Sequence, residues 1–237
     1  MKKVILSVVA LVALGMLTSC SCHGLKVDFS NTETLAEESR SLKGFERIEQ
    51  LGSLDVKYAQ ADSFSVLVKA PADVIKDVQT RVEGNALVVN MKGSNKFLNI
   101  GVSDSKDVTV YVTSPDFLGI DLKGSGDFEC KQLLDTDILN ITLNGSGDIE
   151  FDNIICDEVN VSLVGSGDVE VKNVKMLRSS VNLVGSGDVK VNYDKSGMVE
   201  ANLTGSGDIE LTGDVTDYKS NVRGSGDMHT SGLNIRK

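Results

Sequence analysis

A four-residue motif, Gly-Ser-Gly-Asp, occurs six times in the second half of this 237-residue chain. Successive copies begin 21, 20, 20, 20 and 19 residues apart, at positions 124, 145, 165, 185, 205 and 224. A fixed period near 20 residues is typical of a solenoid, in which each repeat is one coil stacked on the previous coil. The repeat therefore constrains the fold more than any other feature of the sequence.

Apolar and polar residues alternate on both sides of each motif. Around the third copy the apolar positions are Val161, Leu163, Val169 and Val171, and the other copies carry similar residues at the same offsets. A period of two predicts β-strands, whereas a helix would place apolar residues three and four apart. We therefore predict an all-β solenoid of about 20 residues per coil, in which each motif turns the chain between two sheets.

The segment from residue 44 to 117 lacks the motif but still shows strand-like alternation. Its clearest stretches are SLDVKYA, FSVLVKA, ALVVNMK and VTVYVTSP. A solenoid needs a cap, since an open edge strand invites pairing with other chains. We predict that residues 44–117 form irregular coils that cap one end, that residues 118–237 form the six repeats, and that 44–237 is a single domain.

The N-terminus predicts export and lipidation. Lys2 and Lys3 precede an apolar run over residues 4–17, the pattern of a secretory signal peptide. The run ends in Leu17-Thr18-Ser19-Cys20, which resembles the bacterial lipobox. We predict a signal peptide over 1–19, lipidation of Cys20 as the anchor in the outer membrane, and a flexible tether over 20–43. No acidic residue follows Cys20 directly in Ser21-Cys22-His23-Gly24, and the membrane leaflet stays open.

The charge balance argues against two classes of partner. The formal net charge is −10, and loss of the signal peptide leaves 22 basic against 34 acidic residues, or −12. Such a surface repels nucleic acid and anionic lipid. The chain also has no Trp and few aromatic residues, which are the usual stacking platforms for bases and sugars.

The aspartate of the motif has two interpretations. In the first, it caps turn amides that would otherwise lack a partner, and a second glycine such as Gly187 supplies a positive φ. In the second, a column of carboxylates binds Ca²⁺, with Asp148, Asp168, Asp188 and Asp208 as candidates. The calcium-binding repeat G-G-x-G-x-D places its aspartate one residue later than this motif does, so the spacing favours the structural role.

Two cysteines, Cys130 and Cys156, lie inside the repeats. Cys130 occupies an inward position, and Cys156 aligns with Met176 in the next coil. We expect both to be small buried apolar residues, with a disulfide between them as the alternative.

We predict no catalytic residue and no cofactor. The carboxylates form a uniform ladder, whereas an active site needs one singular cluster. A few residues interrupt the repeat, and we expect them to lie on the solvated surface: Lys123, Lys190, Tyr193, Asp194, Arg223 and His229.

Six Gly-Ser-Gly-Asp turns after a strand-rich segment and a lipoprotein signal resemble the head GIN domain family (DUF2807), whose members carry the label "putative auto-transporter adhesin". The resemblance covers residues 45–235 and implies a right-handed parallel β-helix. It also implies an adhesin or binding head. Long faces with ladders of Asn, Ser, Thr and Glu suit contacts with a glycan, with another envelope or host surface component, or with a second copy of the chain in a homo-oligomer. The alternatives are a periplasm-facing structural or envelope-stress lipoprotein and, less favoured, a carbohydrate-active β-helix enzyme.

Overall fold

The computed structural model describes residues 35–93 and 108–236, which belong to one compact unit. The predicted signal peptide, Cys20, Cys22, His23 and the first part of the predicted tether lie outside the described residues. In the described ranges, no helix is long and apolar enough to cross a membrane.

The described residues form two β-sheets and one short 3-10 helix at Ile75–Asp77. Sheet A has eleven strands: β1 (Leu35–Arg40), β3 (Asp55–Gln60), β4 (Ser65–Pro71), β7 (Thr109–Ser114), β9 (Phe128–Asp135), β11 (Ile149–Ile155), β13 (Val169–Lys175), β15 (Val189–Tyr193), β17 (Ile209–Val215), β19 (Met228–His229) and β20 (Leu233–Ile235). Sheet B has nine: β2 (Arg47–Gly52), β5 (Val78–Glu83), β6 (Ala86–Met91), β8 (Gly119–Gly124), β10 (Ile138–Gly145), β12 (Glu158–Gly165), β14 (Arg178–Gly185), β16 (Met198–Gly205) and β18 (Asp217–Gly224).

The repeats form the predicted solenoid. Each motif ends a strand of sheet B and leads into a strand of sheet A, and equivalent strands of successive coils pair in parallel. The register follows the sequence repeat, so that Leu143, Leu163 and Leu183 stand side by side in β10, β12 and β14. The all-β solenoid with two sheets is thus confirmed.

The core lies between the two sheets. The alternating apolar residues of every coil point inward, and residues such as Ile141, Leu163, Val171 and Leu211 are fully buried or nearly so. Burial of each such side chain contributes about 1.5–3 kcal/mol. The inward columns of like residues therefore hold the coils in a single register, because a slip by one residue would expose them.

One further coil precedes the first motif, and the sequence did not reveal it. Strand β2 ends in Gly52-Ser53-Leu54-Asp55, where Leu54 replaces the second glycine of the motif. Gly52 pairs with Gly124, and β2 and β3 stack on β8 and β9 as a complete coil. Strands β4 to β7 lie between Gln60, the end of this coil, and Gly119, the start of the next coil. This insertion interrupts the 20-residue period in the sequence.

The inserted strands, β4 to β7, form one end of the solenoid. Strands β6 and β7 add parallel to β2 and β3, on the side away from the repeats. Beyond them the pairing becomes antiparallel, with β4 on β7 and β5 on β6. Strands β1, β4 and β5 therefore cover this end of the core, as a solenoid requires.

The predicted tether over 20–43 is wrong in its last part. Leu35–Arg40 forms β1, which pairs antiparallel with β4 as the edge strand of sheet A. The segment reads LAEESR, and most of its side chains are exposed. Because an edge strand is held mainly by backbone hydrogen bonds to its neighbour, it needs no apolar period, and the sequence pattern could not show it.

Three residues of the repeats are buried in the core. Cys130 and Cys156 are buried free cysteines, which confirms the expected packing role over the disulfide. Burial raises the pKa of Cys130 to about 11 and that of Cys156 to about 12, so both stay thiols at neutral pH. The expectation that Tyr193 lies on the surface is wrong. A shift of register between β13 and β15 aligns it with Val174, and its ring is buried with its hydroxyl 3.2 Å from that of Ser179.

Candidate functional site

The aspartates of the turns form a hydrogen-bonded ladder along the solenoid. The carboxylate Oδ1 of each aspartate accepts a hydrogen bond from the backbone N–H of the aspartate in the next coil. The ladder begins at Asp55, continues through every motif and ends with the amide of Asp227. Its donor–acceptor distances lie between 2.8 and 3.1 Å: Asp55 to Asp127, Asp127 to Asp148, Asp148 to Asp168, Asp168 to Asp188, Asp188 to Asp208 and Asp208 to Asp227.

The remaining amides of each turn already have backbone partners. In the turn at Gly185, the carbonyl oxygen of Gly165 accepts from the N–H of Ser186 at 2.9 Å and from that of Gly187 at 3.3 Å. The carboxylate of Asp168 then accepts a hydrogen bond from the N–H of Asp188. Since every polar turn group needs a partner, the aspartate completes the hydrogen bonding between coils, and its role is structural.

The glycines are required by contact between coils more than by φ. A Cβ on Gly187 would lie 1.9 Å from the carbonyl oxygen of Gly167 in the previous coil. The positive φ belongs to the first glycine of the turn, where Gly185 has φ of 142°. The expectation that Gly187 itself holds a positive φ is therefore wrong, and close stacking of backbones is the reason for the second glycine.

The calcium candidates Asp148, Asp168, Asp188 and Asp208 all belong to this ladder, and each commits one oxygen to it. Burial, followed by repulsion from the neighbouring aspartates, raises the pKa of Asp148. Of the described residues, Asp208, Asp227 and His229 bring three possible ligand atoms within 4.8 Å of one another. Calcium binding by the ladder, the less favoured interpretation, is not tested by these contacts.

The outer face of sheet A carries a network of ion pairs. Glu150 lies between Lys131, at 2.5 Å, and Lys172, which also contacts Asp152 at 3.0 Å. These two lysines lower the pKa of Glu150 to about 2. The network joins β9, β11 and β13 across their outer side chains.

A groove of about 340 Å³ lies on the same face, where the repeats meet the capping strands. It runs across β4, β7, β3 and β9. Tyr111 lies at its centre with 38% of its surface exposed, and Leu67 and Lys57 flank it on the adjacent strands. An exposed aromatic ring therefore lies in a concavity of the described surface.

Charged groups surround the tyrosine ring in pairs. The Nζ of Lys69 lies 5.2 Å from the centre of the Tyr111 ring, within the range of a cation–π contact, and 2.8 Å from a carboxylate oxygen of Glu37. The hydrogen bond that Lys69 donates to the carboxylate of Glu37 raises the pKa of Lys69. Lys57 pairs with Glu129 at 3.3 Å. The groove thus offers both donors and acceptors around an aromatic ring.

The groove was not predicted from the sequence, although a signal for it exists. In the stretch VTVYVTSP, Val110 and Val112 face the core, so alternation places Tyr111 on the outer face. The residues beside it come from β1, β3 and β4, and only the fold reveals that these strands are neighbours. Among the described residues, Tyr111 is thus one of the few aromatic residues whose ring is exposed.

The outer face of sheet B is a flat array of polar ladders. The side-chain amide of Asn160 donates to Asn140 at 3.3 Å, and that of Asn202 donates to Asn182 at 3.1 Å. Such ladders bind equivalent residues of successive coils to one another. This face therefore stabilises the stacking of the coils.

The other interruptions of the repeat lie on the surface, as expected. Lys123 pairs with Glu49 at 3.1 Å and with Asp121 at 2.8 Å. Lys190 and Arg223 are exposed. His229 is exposed as well, with its Nε2 3.8 Å from Asp208. These residues are scattered along the solenoid and are not gathered into one cleft.

Residues 44–233 match the family described as "Putative auto-transporter adhesin, head GIN domain". The chain belongs to this family. The match spans all the coils and most of the capping strands, and it confirms the resemblance that the repeat indicated. A search of curated proteins gave no match.

Solved structures share the fold. A protein of Bacteroides fragilis described as a "putative adhesin" is 23% identical, with a TM-score of 0.69, over 86% of this chain and 98% of its own. A Parabacteroides distasonis protein described as a "Putative lipid binding protein" is 20% identical, with a TM-score of 0.65, over 87% and 98%. A "putative adhesin" of Parabacteroides merdae is 16% identical, with a TM-score of 0.56, over 86% and 98%.

Proposed function

We propose that this family member is a non-enzymatic adhesin of the bacterial cell envelope that binds a saccharide in the groove around Tyr111. In this proposal an acyl chain on Cys20 anchors the protein in the outer membrane, and the solenoid carries the groove. The family description and those of its structural relatives support an adhesin or binding role over an enzymatic one.

The groove is the observation that carries the proposal. Its central ring lies on β7, a strand paired on both sides, so the backbone beneath the site is rigid. The apolar face of a sugar ring can stack on an exposed tyrosine, and its hydroxyl groups need donors and acceptors at the edges. Lys57, Lys69 and Glu129 supply these groups at the groove.

The balance of charge at the groove favours a neutral ligand. Lys57, Lys69 and Lys131 each lie within 3.3 Å of a glutamate oxygen, so their charges are largely compensated. An anionic ligand would have to compete with those glutamates. The rest of the chain is strongly acidic, which adds a further cost for anions.

A periplasm-facing lipoprotein that binds another envelope component is the second candidate. The feature that favours it is Ser21-Cys22-His23-Gly24, which carries no acidic residue directly after the predicted lipidation site. The same groove would then hold a saccharide of the envelope. The Parabacteroides distasonis relative is described as a "Putative lipid binding protein", so a lipid is the alternative ligand for the groove if no saccharide binds.

Protease treatment of intact cells tests the adhesin role. The full-length protein is followed by blotting, with a periplasmic protein as the control for membrane integrity. We expect the protease to remove the protein from intact cells while the periplasmic control survives. Survival of the protein until the outer membrane is breached would contradict the adhesin proposal and favour the periplasmic candidate.

A further inference from the structure

The two ends of the solenoid differ. At the end formed by β1, β4 and β5, antiparallel strands cover the last parallel coil. At the other end sheet B stops at β18, which pairs with β16 on one side and has no neighbouring strand on its other side within the described residues. Strand β18 spans eight residues, and almost all of them are exposed.

The core is also open at this end. Tyr218, Ser220 and Val222 continue the inward columns that contain Val199, Ala201 and Leu203 in the previous coil. Val222 is 42% exposed, whereas the three residues of the previous coil are fully buried. The N–H of Tyr218 donates to the carboxylate of Asp217 at 2.9 Å, and no second strand pairs with β18 among the described residues. An edge strand over an open core is a ready template for another β-strand.

We infer that two copies of this chain join end to end through antiparallel pairing of their β18 strands about a twofold axis at Ser220. Sheet B of one copy then continues into sheet B of the other. A pairing of this kind is isologous and closes after two copies.

Charge complementarity selects this partner and this register. With Ser220 opposite the second Ser220, the outward Asp217 of each copy lies opposite Arg223 of the other, and Lys219 lies opposite Asn221. A shift by two residues one way places Lys219 opposite the second Lys219. A shift by two the other way places Lys219 opposite Arg223, and both shifts bring like charges together.

The inward side chains agree with the same register. Tyr218 of each copy lies opposite Val222 of the other, which extends the apolar columns across the junction. Shifts by one residue would place inward residues opposite outward ones and are excluded by the pleat. One register therefore satisfies both faces of the strand.

The local charge permits the contact despite the acidity of the whole chain. The last coil, residues 217–236, carries Lys219, Arg223 and Arg236 against two aspartates, Asp217 and Asp227. Strand β1 at the opposite end carries Glu37 and Glu38 on the edge of sheet A. Repulsion between two acidic copies is therefore weaker at the β18 end.

Sedimentation velocity over a range of concentrations tests the inference, on the chain from Ser21 onward, which omits the predicted signal peptide and the lipidated Cys20. We expect a reversible dimer. Asp217→Arg and Arg223→Asp should each weaken dimerisation about tenfold or more, because two attractive pairs per dimer become repulsive. The double variant Asp217→Arg/Arg223→Asp exchanges the charges and should restore the dimer.

The controls make each outcome decisive. Both residues are exposed, so thermal unfolding should show that every variant keeps its fold. A wild-type monomer at all concentrations, a dimer that the single variants leave intact, or a double variant that stays monomeric would overturn the inference. Open-ended oligomers would overturn the twofold pairing as well, because a closed dimer cannot add further copies.

Discussion

The carboxylate Oδ1 of Asp168 accepts a hydrogen bond at 2.9 Å from the backbone N–H of Asp188, one coil further along the solenoid. The same contact recurs at every turn, so the aspartate that the repeat retains is a link between coils. Stacked carboxylates repel one another, by about 0.9 kcal/mol per pair of unit charges 4.8 Å apart in water. A hydrogen bond to a charged group contributes about 1.5–3 kcal/mol, which outweighs that repulsion.

Two substitutions of Asp168 distinguish the stabilising effect of its hydrogen-bond acceptor from that of its negative charge. Asp168→Ala removes the acceptor and leaves the amide of Asp188 without its partner, which should cost about 1–3 kcal/mol of unfolding free energy. Asp168→Asn keeps an oxygen at Oδ1 and should cost less than about 1 kcal/mol. Urea unfolding of the two variants measures the difference. Equal losses for both variants would show that the charge, and not the hydrogen bond, is what the fold requires.

Calcium should leave the stability of the protein unchanged. Each candidate aspartate already commits Oδ1 to a backbone amide, and a cation would have to compete for it. We expect the same melting temperature with added Ca²⁺ and with a chelator. A rise in melting temperature with Ca²⁺ that is lost in Asp168→Asn would instead establish the ladder as a metal site.

Two substitutions distinguish the steric requirement for glycine from the requirement for a positive φ. Gly187→Ala should cost about 4 kcal/mol or more, because its Cβ would lie 1.9 Å from a carbonyl oxygen and the coils would have to separate. Gly84→Ala is the matched control, since Gly84 has φ of 62° but nothing within 4 Å of its Cβ position. That variant should cost only the strain of the left-handed conformation, about 1–2 kcal/mol. A smaller loss for Gly187→Ala than for Gly84→Ala, by denaturant unfolding, would contradict close stacking as the cause.

Glu150 should make the stability depend on pH in the acid range. Its lysine partners lower its pKa from 4.5 to about 2 in the folded protein. The ionised form is therefore favoured by folding, and this contribution is fully present above pH 4.5 and is lost as the pH falls towards 2.

The difference in melting temperature between wild type and Glu150→Gln measures that contribution. We expect Glu150→Gln to be less stable above pH 4.5, with the difference shrinking towards pH 2. Lys172→Gln should reduce the same pH dependence, because it removes one of the two partners. A difference that stays constant between pH 6 and pH 2 would show that the ion pairs do not set the pKa of Glu150.

The repeats could be predicted from the sequence because every coil restates the same local pattern. Leu143, Leu163 and Leu183 occupy equal positions in the sequence repeat, and equal positions become neighbours in a parallel stack. The inward placement of Cys130 beside Phe151 followed from the same alignment. The period and the register could therefore be predicted, because both follow from a local pattern that every coil repeats.

The parts that failed are those in which distant segments meet. Asp55 begins the aspartate ladder, but Leu54 breaks its motif and 72 residues separate it from Asp127. Strand β1 is polar and is held by its pairing with β4, which no period in its own sequence can show. The groove is lined by Tyr111, Lys57 and Leu67. Their three strands are neighbours only because β4 and β7, which are inserted between two coils, pair with each other and β7 pairs with β3. Such contacts follow from topology, and topology was predicted only for the repeats.

Saccharide binding by the mature chain, screened on a glycan array and quantified by calorimetry, tests the proposed function most directly. Tyr111→Ala should weaken binding about tenfold or more, and Tyr111→Phe should retain most of it, because the ring provides the stacking face. Val184→Ala, at an exposed position on sheet B, and Asp168→Asn should bind as the wild type does. Wild-type affinity in Tyr111→Ala, loss of binding in Asp168→Asn alone, or the lack of any saccharide ligand would contradict the groove as the adhesive site.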